Sequence, residues 1–147
     1  MRPFAEAVIK AVGKRGPILV YGHYEKRILT VLAGRFRDLK PALLKVIQRL
    51  KDLHPITAQH YYHPDMQGSW SLKSVLPTIA PELDYEDLGE ICDGGAASTA
   101  YLELIAENTS AERRRALHDG LLEYCKRDTI AMIEIVRFLQ NGRRKKI

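Results

Sequence analysis

Apolar residues first recur at helical spacing. Phe4, Val8, Ala11 and Val12 fall on one face of the segment Phe4 to Val12, and Gly13 and Gly16 end it. The period then changes. Pro17-Ile18-Leu19-Val20-Tyr21 is a short apolar run with β-branched content, bounded by Pro17 and Gly22, and it reads as a buried strand. Helical spacing returns over Glu25 to Phe36 through Ile28, Leu29, Leu32 and Phe36, and again over Pro41 to Leu50 with a proline in the first turn. Lys51 to Pro55 is a second, weaker strand. Thr57 to Ser69 shows no period and reads as a loop.

The second half of the chain is helical in pattern. Ser71 to Ile79 predicts a short helix, followed by an acidic connection containing Pro81. Ala96 to Ile105 predicts another helix, with Ala97, Tyr101, Leu104 and Ile105 inward. Thr109 and Glu112 have the spacing of a capping box. The helix it opens is expected to break or bend at Asp119-Gly120, and a further helix runs from Leu121 to about Leu139. Helix–strand–helix–helix–strand–helices is the order of an α/β or α+β domain. Two strands are few for an open sheet, so strands are expected to be missing on the N-terminal side.

Length and charge refine this picture. The 147 residues suit a single domain over 1–142 followed by a basic tail at 143–147. No apolar run is long enough for a membrane span, and no signal-peptide core opens the chain. Cys92 and Cys125 lie far apart, which fits a reducing, cytoplasmic setting and not a disulfide scaffold. The net charge of +5 is unevenly placed: residues 1–60 hold 12 Lys/Arg against 4 Asp/Glu, whereas Ser74 to Glu112 holds nine acids and no Lys or Arg. Such polarity suits a protein that meets a polyanion with one face, and equally an unevenly charged solvated surface.

Asp128 is the most informative position. Leu121, Cys125, Met132, Ile135 and Leu139 mark an apolar stripe on the last helix, and Asp128 falls inside it with Tyr124 one turn earlier. A buried carboxylate must meet a cation, a metal or strong donors. Glu25 follows closely on the strand ending at Tyr21, where functional groups collect in open α/β sheets. It also has the place of a first-turn acid favoured by the helix dipole. Together the two carboxylates offer oxygen ligands of the kind Mg²⁺ and Mn²⁺ prefer.

These residues support a resemblance. A strand ending in a small residue and an aromatic-acid pair is similar to the second motif of the DEDD exonucleases, in the ribonuclease-H-like superfamily. Tyr124-Cys125-Lys126-Arg127-Asp128 resembles their third motif in its Tyr-x-x-x-Asp form. Gly68-Ser69-Trp70-Ser71-Leu72-Lys73-Ser74-Val75-Leu76-Pro77 resembles the Ser-Leu-Lys helix of bacterial ribonuclease-H-like nucleases, and Asp93-Gly94 with Ala96 and Tyr101 fits the same subgroup. The family most similar in these features is a bacterial one, domain of unknown function 2779, usually a C-terminal part of longer proteins. The resemblance spans roughly residues 4–140.

It implies a helix-rich α/β fold of the ribonuclease-H-like, DEDD exonuclease-like kind, and metal-dependent 3′–5′ exonuclease chemistry on DNA or RNA. Two Mg²⁺ or Mn²⁺ ions about 4 Å apart would activate a water and stabilise the leaving oxygen. Asp128 would ligate a metal, Tyr124 would orient the attacking water, and Glu25 would supply the second-motif carboxylate where the superfamily usually has Asp. Gly22 stands where an Asn is often found. The superfamily's Asp-x-Glu on an opening strand has no counterpart before Phe4. Asp84-Tyr85-Glu86 matches the letters but follows the second motif with no strand before it, and is rejected. A domain truncated at its N-terminus, or a fragment of a longer polypeptide with an upstream domain, is therefore expected, inactive alone. The alternative is a non-catalytic remnant that binds nucleic acid or a protein.

The remaining candidates keep two readings each. Tyr61, Tyr62 and Trp70 either stack on unpaired bases or seal a loop over the core, and Lys73 joins them as a nucleic-acid contact. Arg113-Arg114-Arg115 and Arg143 to Lys146 either contact phosphates or are solvated. Asp52 is read as structural or supporting. His54, His60, His63 and Asp65 match no zinc spacing and are expected in a solvated loop.

Overall fold

The computed structural model describes residues 1–83, 85 and 88–141. The chain divides into two units, Met1–His60 and Tyr61–Ile147. The basic tail at 143–147, and Asp84 and Glu86 of the rejected motif, lie outside the described residues.

The unit Met1–His60 runs α1 (Arg2–Ala11), β1 (Ile18–Val20), α2 (Tyr24–Arg35), α3 (Lys40–Gln48), β2 (Leu50–Asp52) and α4 (Leu53–His60). β1 and β2 are parallel, with Ile18 opposite Leu50 and Val20 opposite Asp52. A parallel pair needs a crossover, here α2 and α3. Leu29, Leu32, Ala33, Leu43 and Val46 from that crossover bury together with Ala5 of α1. The inward stripe of α1 is Ala5, Val8, Ile9 and Val12, a strict i, i+3, i+4, i+7 set, and Phe4 is left half exposed. The face expected from Phe4 is thus rotated by about one residue.

Two side chains lock this unit. The Arg49 guanidinium donates to four backbone carbonyls of the α1–β1 loop: Gly16 (2.7 Å), Gly13 (2.7 Å), Val12 (2.9 Å) and Arg15 (2.6 Å). Asp52 accepts from the Gly22 N–H at 2.8 Å and from the His54 N–H at 2.9 Å. The second bond is an N-cap, so α4 begins at Leu53 and cuts short the strand expected over 51–55. For the same reason residues 57–60 are helical, not loop. Gly22 has φ +89°, a region glycine enters without strain.

The unit Tyr61–Ile147 contains α5 (Leu72–Ile79), α6 (Gly94–Ile105) and α7 (Ala111–Asn141), with short 3-10 turns at Pro64–Met66 and Pro81–Leu83. Ser71 caps α5 and Asp93 caps α6, each side chain accepting a backbone N–H three residues on. α5 and α6 both pack on α7. The inward face of α6 is Ala97, Ala100 and Leu104, while Tyr101 and Ile105 are each 54% exposed, against expectation.

The start of α7 also differs from the reading. Ser110, not Thr109, accepts the Arg113 N–H (3.1 Å), and the Thr109 hydroxyl turns back to the Glu103 carbonyl. α7 then continues through Asp119-Gly120 without a break. Gly120 is there for space: a Cβ at this position would stand 2.9 Å from Ile91 Cδ1. Glycine in this helix marks a close approach and not an end.

Among the described residues the chain is helix-rich with two parallel strands, compatible with an α/β class. No helix among them is long and apolar enough to cross a membrane.

Candidate functional site around Asp128

The packed stripe of α7 is Leu117, Leu121, Tyr124, Asp128, Ala131 and Ile135, in alternating steps of four and three. The expected stripe through Cys125 is rotated by one position, and Cys125 is exposed. Asp128 nevertheless keeps its place among apolar neighbours, for both stripes pass through it.

Its partners are phenols. Tyr85, 2% exposed, donates its O–H to Asp128 Oδ1 at 2.7 Å. Tyr124, one turn before Asp128 on α7, stands close enough to the same carboxylate for each group to shift the other's protonation. The two rings lie 6.1 Å apart, tilted by 55°. Burial raises the Asp128 carboxyl above the ordinary range, and the two phenol donors pull it partly back. Burial first, then the Asp128 charge, pushes the Tyr124 phenol up to about 12. Tyr85 is raised further, from burial and then its bond to Asp128. At neutral pH both phenols are therefore protonated and able to donate a hydrogen bond. Burial and then Asp128 also raise the Cys125 thiol, so it is a poor nucleophile.

Tyr85 escaped the sequence reading. Its one signal was a lone aromatic within an acidic run, between Glu82 and Glu90.

Glu25 lies exposed in the first turn of α2, in the unit Met1–His60, where the reading placed it. Asp128 belongs to the other unit. Among the described residues no three His, Cys, Asp or Glu side chains gather as a metal site. A carboxylate oxygen suits Mg²⁺ or Mn²⁺, but the described residues do not gather three such ligands around Asp128. That falls short of the set two-ion hydrolysis requires, so no step is derived through an ion.

The aromatic candidates divide. Tyr61 is committed to the fold: its O–H donates to Thr78 Oγ1 (2.9 Å), and its ring meets Phe138 edge-on at 4.7 Å. Trp70 Nε1 donates to the Tyr61 carbonyl at 2.8 Å, and Tyr62, 56% exposed, tilts against the indole at 6.0 Å. Lys73 is half exposed, 4.0 Å from Asp93. His63 turns its Nδ1 to the Asp65 N–H, and His54 packs on Tyr21. Arg113 clasps Glu90 (2.6 Å) and Glu103 (2.8 Å), and Arg114 holds the carbonyls that end α6. Two of the three arginines in the run 113–115 are thus engaged within the fold, in place of the phosphate-contacting or solvated roles expected of that run.

Comparison with known proteins bears on the first part of the chain. Residues 1–71 match DUF2779, a domain of unknown function. Neither a curated protein nor a solved structure matches the chain. The DUF2779 match takes in the whole unit Met1–His60 and runs on to Ser71. Glu25, Tyr61, Tyr62 and Trp70 fall within it; Lys73, Tyr124 and Asp128 lie beyond it. The resemblance to domain of unknown function 2779 is thus found over 1–71, where the sequence reading had spread it over 4–140.

Proposed function

We propose that this chain is a nuclease-like domain of the ribonuclease-H-like, DEDD exonuclease-like kind, acting on nucleic acid, with Asp128 as its third-motif carboxylate. The observation that carries the reading is the Tyr124–Asp128 pair. The Tyr-x-x-x-Asp spacing puts phenol and carboxylate side by side on the packed face of α7, and the Tyr85 O–H donates to the carboxylate from outside the helix at 2.7 Å. Buried, oriented carboxylates with perturbed protonation mark functional sites more often than chance. Tyr124 would hold a water or a phosphate oxygen beside Asp128. Mg²⁺ or Mn²⁺ would supply Lewis-acid chemistry at phosphorus only where further carboxylates joined Asp128. One carboxylate binds such an ion weakly, so hydrolysis by this chain alone should be slow.

The test is incubation of the whole chain with end-labelled single strands and Mn²⁺, beside Asp128→Asn. The expected result is slow release of mononucleotides that the substitution abolishes. Release that persists in Asp128→Asn removes Asp128 from the chemistry. Absence of any Mn²⁺-dependent release at high enzyme concentration overturns the reading that this chain cleaves nucleic acid on its own.

A further inference from the structure

The unit Met1–His60 holds 12 Lys/Arg, and its few acids are already engaged or lie elsewhere. Glu6 and Asp38 both pair with Arg2. Asp52 accepts two backbone N–H groups. Glu25 stands past the C-terminal end of β1. Residues 7–24 and 39–51 contain no acid at all. These two acid-free segments are tied together at the other end of the strands, where Arg49 gathers the loop carbonyls and its own carbonyl accepts the Ile18 N–H at 3.0 Å.

That tie shapes the surface. The peptide bonds here are trans, so a carbonyl and the next N–H point in opposite directions. The Gly13 and Arg15 carbonyls point at Arg49; the N–H groups of Lys14 and Gly16 therefore point away from it. Lys14 and Arg15 are exposed on the same loop, with Lys10 at its entry and Lys45 and Lys51 exposed on the segment that carries Arg49. The loop thus presents outward amides among cations, on a support that is hydrogen-bonded in place.

We infer that this loop and its flanking lysines are a docking surface for the phosphodiester backbone of nucleic acid. The inference takes its partner from the proposed function but does not depend on Asp128 or on a metal. Charge complementarity selects the occupant, since five exposed cations spread over two segments suit a chain of phosphates better than one small anion. Lys10, Lys14, Arg15, Lys45 and Lys51 bind phosphates without reading bases, and Arg49 is a positioning residue.

The experiment is fluorescence-anisotropy binding of labelled 20-mer single strands by the full chain in EDTA, as a function of salt. Five neutralised phosphates give a slope of about −3.5 in log K against log salt, so affinity falls about 130-fold between 50 and 200 mM salt. Lys14→Gln/Arg15→Gln leaves three contacts and reduces that fall to about 18-fold. Lys10→Gln/Lys45→Gln should do the same. Lys26→Gln/Arg27→Gln, which removes equal charge from α2, should keep the full slope, as should Asp128→Asn. An unchanged slope in both loop-side pairs overturns the inference, and so does an equal loss in the α2 pair. Displacement by inorganic phosphate beyond the effect of sodium chloride at matched ionic strength also overturns it, by revealing a small-anion pocket. Mn²⁺-dependent cleavage without binding in EDTA would sink the docking surface and leave the nuclease reading standing.

Discussion

Gly120→Ala is the substitution whose outcome separates two meanings of the same glycine. Alanine in a helix interior is worth about 1 kcal/mol over glycine, so a glycine that merely tolerates the helix would yield a stabilised variant. Here the new Cβ would stand 2.9 Å from Ile91 Cδ1 and 3.7 Å from Cγ1. The first distance is a clash and the second an ordinary contact. Ile91 is 2% exposed and packed with Ala100 and Leu117, so its side chain has little room to turn away. Overpacking of this kind costs about 1–3 kcal/mol, which leaves Gly120→Ala neutral to about 2 kcal/mol less stable. Ile91→Val removes Cδ1 and keeps Cγ1, at a loss of about 0.5–1.5 kcal/mol. In the double variant the clash is absent and the helix gain remains, so its stability should lie within about 0.5 kcal/mol of the parent. The coupling is then about 1–3 kcal/mol, well above the scatter of additive pairs. Urea unfolding followed by tryptophan fluorescence measures it in the right place, since the single tryptophan, Trp70, belongs to the same unit as both residues. An additive cycle, or a Gly120→Ala variant more stable by about 1 kcal/mol, would refute the close-approach reading.

Two further outcomes follow from the hydrogen bonds. Arg49→Met should destabilise the unit Met1–His60 by about 2 kcal/mol or more, since hydrogen bonds from a charged group are worth about 1.5–3 kcal/mol and four carbonyls lose their donor; faster amide exchange over residues 12–18 would locate the effect, and unchanged exchange would refute it. Asp128 binds its proton more tightly folded than unfolded, because its carboxyl is raised by burial; stability from this group is therefore fullest at acid pH and falls as pH rises from about 4 through the folded value. Asp128→Asn should remove that fall and be the more stable protein at pH 7, and a variant that parallels the parent from pH 4 to 7 would contradict the assignment.

How much was legible depends on how local the physics is. α1, β1, α2 and α3 were readable because apolar period and the prolines at 17 and 41 act within a few residues. The Tyr124–Asp128 pair was readable for the same reason, lying four residues apart on one helix. β2 ends three residues earlier than expected because the Asp52 carboxylate caps α4, a choice that hydrophobic pattern does not register. The break at Gly120 was misread because the residue that requires it, Ile91, is 29 positions away. Tyr85 meets Asp128 across 43 positions, and no spacing rule reaches so far. What the pattern conveyed was each helix; what it withheld was which side chain one helix requires of another.

The treatment of acids within this chain sets Asp128 apart. Glu6 and Asp38 share Arg2, and Glu90 and Glu103 share Arg113, all at exposed positions where a guanidinium fixes the carboxylates by charge. Asp52 and Asp93 turn to backbone N–H groups and cap helices. Each of those acids has a structural task completed by its partner. Asp128 is half-buried, yet its donor is the neutral Tyr85 phenol, with Tyr124 beside it, and a phenol orients the carboxylate without cancelling its charge. A neutral isostere would satisfy the same phenols at less desolvation cost. The packing therefore does not require the charge. Under the proposed chemistry such an oriented, half-buried carboxylate would meet a positive partner from outside the fold.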